Sequence, residues 1–207
     1  MSVTTQSVQS AIKKSLVAPS HPIWRLSVDQ YHEMIRAGIL TDDDPIELLE
    51  GWLVPKMPKN PPHRITTRLT REALARILSA GWYVDTQEPI TTADSEPEPD
   101  VVVVRGETRQ YLDRHPGPGD VALVVEVSDA TLQRDRGFKK RLYASASIPV
   151  YWIVNLIEKQ CEVYTDPSGP TEGADYRHRQ DYGLSDAVPL VLEGVEVGRI
   201  AVRELLP

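Results

Sequence analysis

Two short runs in this 207-residue chain are almost purely aliphatic, and each carries an acid. Val101–Val104 is preceded directly by Asp100, and Val121–Val127 reads Val-Ala-Leu-Val-Val-Glu-Val with Glu126 inside it. Such runs do not alternate as a half-exposed strand does, so they predict central strands covered on both faces. That calls for a sheet with layers on either side. It also calls for an account of the acids, because a buried carboxylate is costly unless it is paired or coordinates a metal. Two carboxylates on neighbouring strands repel each other, raising one pKa, unless a cation lies between them. A hard divalent ion such as Mg²⁺ accepts this donor set, taking one or two carboxylates, a carbonyl and several waters. Each acid also has a plainer account. For Glu126 that is a salt bridge to a basic helix; for Asp100 it is a turn at the start of a strand.

The rest of the chain supplies the layers. Ser27-Val-Asp-Gln30 reads as a capping box that opens a helix closed by Gly38. Ile46–Leu49 and Trp52–Lys56 predict a hairpin turning at Glu50-Gly51. His63–Ala80 predicts the longest helix, with Ile65, Leu69, Leu74, Ile77 and Leu78 as its buried stripe. Tyr83–Asp85 and Pro89–Thr92 are short strand candidates, and Gly106–Asp120 is a polar loop. Val150–Val154 reads as a buried strand, with Glu162–Tyr164 pairing back across a turn at Glu158–Gln160. Short strands follow from Tyr176 to Val197, after a loop at Asp166–Asp175. The order predicts an α/β (mixed α+β) domain with a central mixed β-sheet flanked by helices.

Thr131–Ala146 predicts a further helix, on which Asp135, Lys139 and Tyr143 are spaced by four and share a face. Leu132, Phe138, Leu142 and Ala146 form its expected buried side. Lys139 then reaches over the strand ends towards Asp100 and Glu126. The alternative is a surface Asp135–Lys139 pair worth about 0.3–0.5 kcal/mol.

Taken in order, these residues carry a resemblance. Glu98-Pro-Asp100, Glu126-Val-Ser128 and Lys139 resemble the PD-(D/E)xK nuclease signature, with the lysine on the following helix. A wider set lies in the same order: Ile46-Glu-Leu-Leu-Glu-Gly51, His63, Glu96-Pro-Glu-Pro-Asp-Val101, Asp135-Arg-Gly-Phe-Lys139, Tyr143 and Tyr151-Trp-Ile-Val154. With it the chain resembles the Uma-two family of restriction-endonuclease-like proteins over roughly residues 24–205. The resemblance implies a restriction-endonuclease-like core and Mg- or Mn-dependent hydrolysis of phosphodiester bonds in DNA, by a homodimer. Position by position, it implies Asp100 and Glu126 as metal ligands with the Val127 carbonyl as a third. Lys139 orients the attacking water or stabilises the phosphate, Glu47 holds the metal through water, and His63 contacts phosphate. Two places depart from the family. Ser147-Ile-Pro-Val150 stands where many relatives have Gly-Val-Pro-Glu, and Asn155 stands where many have Asp.

Composition narrows the classes further. A formal charge of −7 argues against coating nucleic acid by bulk charge. The charge is segregated, however. Lys59–Arg76 and Thr131–Val150 each carry five basic residues against one acid, and both flank the expected site. Either segment also reads as a solvated helix face. The single Cys161 excludes an internal disulfide and suits a cytoplasmic setting. No apolar run is long enough to span a membrane. Residues 1–22 read as a flexible tail without a signal peptide, and 23–207 as a single domain. Gly-rich phosphate loops, zinc-ligand clusters and helix-turn-helix patterns are absent from the sequence. Trp24, Trp52, Trp82 and Trp152 read as core or interface residues, and the loops Gly106–Asp120 and Asp166–Asp175 as the place for any sequence specificity. Two rivals to a DNA nuclease remain: a non-catalytic nucleic-acid-binding or assembly module with the same fold, and a nuclease for RNA or branched DNA.

Overall fold

The two valine-rich runs lie at the centre of a six-stranded sheet. A computed structural model describes residues 22–41 and 43–207; the expected tail at 1–22 lies outside the described residues, except for Pro22. The strands β3 (Trp82–Asp85), β4 (Val101–Arg105), β5 (Val121–Ser128), β6 (Val150–Asn155), β7 (Gln160–Pro167) and β8 (Tyr176–Gly183) follow one another in chain order across the sheet. Every pair is antiparallel except β5–β6. A parallel pair needs a crossover. Here that crossover is α3, built from an α-helical turn at Leu132–Arg134, a π-helical turn at Asp135–Lys139 and an α-helical stretch at Lys140–Ser145.

Strand alternation sends Val101, Val103, Val125, Val127, Trp152 and Val154 to one face. Over them lie α2 (Pro61–Ile77), the hairpin of β9 (Ala187–Leu192) and β10 (Val195–Ala201), and the short α4 (Val202–Leu205). The other face presents Val102, Val104, Val124 and Ile153 to α3 and to a cluster of Tyr143, Tyr151, Tyr164 and Tyr176. A small third cluster joins α1 (Val28–Arg36) to Leu48 of β1 (Ile46–Leu49), which pairs with β2 (Trp52–Pro55).

Local chemistry sets the element ends. The Ser27 hydroxyl accepts from the Gln30 N–H, and the Gln30 side chain accepts from the Ser27 N–H, as the capping box requires. The β1–β2 turn has positive φ at both Glu50 (48°) and Gly51 (78°), the twist that suits a two-residue hairpin. A Cβ on Gly51 would lie 2.6 Å from the Arg25 Cβ, so the position has no room for a side chain. Helix α2 begins at Pro61, two residues before the sequence-based start. Asn60 caps it by accepting from the His63 N–H, and prolines suit first-turn positions whose N–H groups would go unpaired.

Several expectations are corrected. Helix α2 ends at Ile77 rather than Ala80, because Leu78 already turns extended towards β3. Its buried stripe is Thr66, Thr67, Thr70, Ala73 and Leu74, whereas Ile65 is 50% exposed. Valines and Trp152 already fill the sheet face, so short side chains fit beneath the helix. Pro89–Thr92 forms no strand; its fully buried Ile90 donates its N–H to the Pro97 carbonyl within the same loop. Trp24 is 77% exposed, whereas Trp152 is fully buried as expected. Among the described residues, no helix is long and apolar enough to cross a membrane.

Candidate active site

Asp100 and Glu126 meet through strand register. Val101 pairs with Val125 across the antiparallel β4–β5 ladder, so the next rung sets Asp100 opposite Glu126 on the same face. Both are nearly buried, at 5% and 7% exposure. Asp100 is held from one side: its Oδ2 accepts the Val127 N–H at 2.9 Å and lies 3.1 Å from His63 Nε2. Its Oδ1 has only Lys59 Nζ nearby, at 3.8 Å. Glu126 is held in the same way, with Oε1 accepting from the Tyr143 hydroxyl at 2.6 Å and lying 3.5 Å from Lys139 Nζ. One oxygen of each carboxylate is therefore engaged, while the other has no close hydrogen-bond donor among the described residues.

Helix α3 brings Lys139 over this pair. On a regular α-helix, residues four apart drift by about 40°, which would fan Asp135, Lys139 and Tyr143 across the surface. The wider π turn, in which Lys140 N–H donates to the Asp135 carbonyl, takes back part of that drift. All three side chains are consequently buried. This excludes the exposed Asp135–Lys139 pair, while the expected apolar side also packs, with Leu132 and Leu142 buried and Phe138 and Ala146 against the same core. Asp135 accepts from the Ser128 and Thr131 hydroxyls, at 2.6 Å each. Lys139 lies between Glu47 (2.8 Å) and Glu126 (3.5 Å). Burial on its own would lower the Lys139 pKa, but the Glu126 and Glu47 carboxylates outweigh it and hold the ammonium above the ordinary lysine value. Burial raises the Glu126 carboxyl well above the usual carboxylate range; Lys139 offsets part of that rise and Asp100 adds to it.

Glu47 reaches the site from β1. Its two oxygens accept from Arg134 Nη2 at 2.9 Å and Lys139 Nζ at 2.8 Å. It thus faces two cations rather than the open side of the cleft. Arg134 was visible in the sequence only as part of a charge run; its Nε is buried without a partner beside the site. No local pattern could have marked it, because its partner Glu47 lies 87 residues away. The cleft is lined by Glu47, Lys59, His63, Asp100, Glu126, Val127, Arg134 and Lys139, so every residue expected at the site converges there.

With that geometry in place, the comparisons are specific. Residues 28–202 match the Uma2 family, whose description reads "Putative restriction endonuclease". The chain belongs to this family. No curated protein matches it. Among solved structures, a crystal structure of "a putative nuclease belonging to DUF820" from Anabaena variabilis is similar, with a TM-score of 0.60 over 89% of this chain and 97% of that one, at 14% identity. At that identity the likeness is one of fold. Family and fold together are those of a restriction-endonuclease-like nuclease.

In this Uma2 protein the donor set at the cleft suits a hard divalent ion. Among the described residues, no group of three or more His, Cys, Asp or Glu is arranged to hold a metal. A hard ion does not need one, since Mg²⁺ is commonly held by one or two carboxylates and keeps several waters. Asp100 Oδ1 and the second oxygen of Glu126 are the oxygen donors left without a close donor, at a cleft of about 80 Å³. Burial is the main cause of the raised Glu126 pKa, so a cation bound beside the carboxylate would offset the cost of ionising it. The residues fit.

Proposed function

We propose that this Uma2 protein is a Mg²⁺- or Mn²⁺-dependent endodeoxyribonuclease, acting in the cytoplasm as a homodimer of domains spanning residues 23–207. One observation carries the reading: Asp100 and Glu126 face each other across the β4–β5 ladder, with the Lys139 ammonium held above them in an open cleft. Asp100 and Glu126 would hold the ion, and the Val127 carbonyl would be its third protein donor. When bound, such an ion supplies Lewis acidity and an acidified water.

The chain's own groups do the rest. His63 and the Val127 N–H pin Asp100 through Oδ2, which leaves Oδ1 to the cleft. Tyr143 pins Glu126 in the same manner. Lys139 stays protonated between two carboxylates, so it offers a fixed positive charge to the attacking water or to the phosphate. Fixed charge of this kind acts most strongly where water is scarce. Glu47 keeps both Lys139 and Arg134 at the cleft wall, and His63 would meet a phosphate there. A dimer would present two such sites, which favours cutting both strands of a duplex.

The test is Mn²⁺ titration by calorimetry into wild type, Asp100→Ala and Lys139→Ala, with a DNA nicking assay on each. The expected result is metal binding lost in Asp100→Ala and kept in Lys139→Ala, with nicking by wild type alone. Metal binding without cleavage of duplex DNA, RNA or branched DNA would favour a binding or assembly module instead. No metal binding by wild type would overturn the two-carboxylate site.

A further inference from the structure

We propose that the exposed face of α2 is the docking surface for the nucleic-acid backbone, with Arg64, Arg68 and Arg71 forming a phosphate track that begins at the cleft mouth. The inference rests on the nuclease reading above and adds the path that the substrate takes.

The two basic segments look equal in sequence, but their surroundings differ. On α3 every cation is engaged. Arg134 and Lys139 meet Glu47, Arg136 meets Glu158 and Glu162, Lys140 meets Asp175, and Arg141 meets Glu50. That segment holds the site together and has little charge left for a partner. On α2 only Arg68 and Arg76 are paired, with Glu72 and Glu204, through exposed contacts that contribute little. Arg64 and Arg71 have no ion pair among the described residues, and both are exposed.

Spacing turns these cations into a track. At about 100° per residue, positions 64, 68 and 71 fall within a stripe about 60° wide. They span about 10 Å of helix axis, the axial length of about three phosphate-to-phosphate steps on one strand. The track leads to the chemistry. Just before the helix, Lys59 Nζ lies 3.8 Å from Asp100 Oδ1, and in its first turn His63 Nε2 lies 3.1 Å from Asp100 Oδ2. The positive end of the helix dipole points the same way. In a chain of net charge −7, this run of cations beside the cleft gives a polyanion a reason to bind here.

The test measures binding of a short fluorescein-labelled DNA duplex by anisotropy in EDTA, where no cleavage interferes. It compares wild type, Arg64→Ser/Arg71→Ser, and a remote control, Arg177→Ser/Arg199→Ser. The α2 variant is expected to bind at least about tenfold more weakly at about 0.1 M salt, with the salt slope of log K reduced by about 2. Its melting temperature should match wild type, and the control should bind as wild type does. Unchanged affinity and slope in the α2 variant, or no DNA binding by wild type, would overturn the track. The two readings fail separately. Wild type that binds with the expected slope but never nicks removes the nuclease and leaves the track; wild type that nicks, with an unchanged slope in the α2 variant, does the reverse.

Discussion

Glu162 occupies the same transverse row of the sheet as Asp100 and Glu126, because Glu126 pairs with Ile153 and Ile153 with Glu162. Its side chain is fully buried, yet it is satisfied from several sides: Arg136 donates to both of its oxygens, Tyr164 donates at 2.7 Å and Asn155 at 2.8 Å. Burial alone would raise its pKa, but these donors outweigh it and bring the carboxyl down to about 2. Asp100 and Glu126 differ in keeping one oxygen free for the cleft. Asn155 fits this picture, because an aspartate there would set a second carboxylate against Glu162. A folded-state pKa below the unfolded one stabilises above the unfolded value, near 4.5, and that stability is lost as pH falls towards 2. Glu162 is therefore expected to contribute about 3 kcal/mol at neutral pH. Urea unfolding of wild type and Glu162→Gln between pH 6 and pH 2 checks this: the variant should lose part of the acid-side slope. Equal slopes would mean that Glu162 is not the group concerned.

At the scale of elements, α3 shows how a site is built into a helix. Its C-terminal end is a Schellman motif, with the Ile148 N–H donating to the Tyr143 carbonyl at 3.0 Å and the Ser147 N–H to Ala144. That motif requires a left-handed residue, and Ser147 takes the role at φ 61° where many relatives have glycine. Ser147→Gly is accordingly expected to stabilise the protein by about 1 kcal/mol, raising the melting temperature by about 2–4 °C in a calorimetric scan. No rise would mean that Ser147 gains compensating contacts. The capping box at Ser27, the hairpin at Glu50-Gly51 and the two buried strands were legible because their signals are local. On α2 the expected stripe holds at Leu74, Ile77 and Leu78 but not at Ile65, because the face that packs depends on the sheet beneath it and the valine floor takes threonine and alanine nearer the helix start. The π turn has no composition signal of its own; its trace is the spacing by four of Asp135, Lys139 and Tyr143, all three of which end up inside.

For the whole molecule, α4 shows the contribution of distant contacts. It is only four residues long, but it lies on α2, and Val202 and Leu205 are both fully buried. Leu205→Ala is expected to cost about 2–5 kcal/mol, lowering the melting temperature by about 5–15 °C; a loss of less than about 1 kcal/mol would show that the end is not part of the core. Sequence by itself determined the α/β class, the two central strands and the two acids they carry, because hydrophobic runs and a buried charge within them are constraints that act along the chain, whereas Lys139 entered the pattern through the family resemblance. The same resemblance placed Glu47 and His63 in the pattern. Only the tertiary structure decided what those residues face. Register set Asp100 opposite Glu126, the crossover set Lys139 between Glu126 and Glu47, and the pairing of nearly every cation on α3 left α2 as the open basic surface. Each of these depends on partners tens of residues apart, whose meeting follows from strand order and packing rather than from any spacing along the chain.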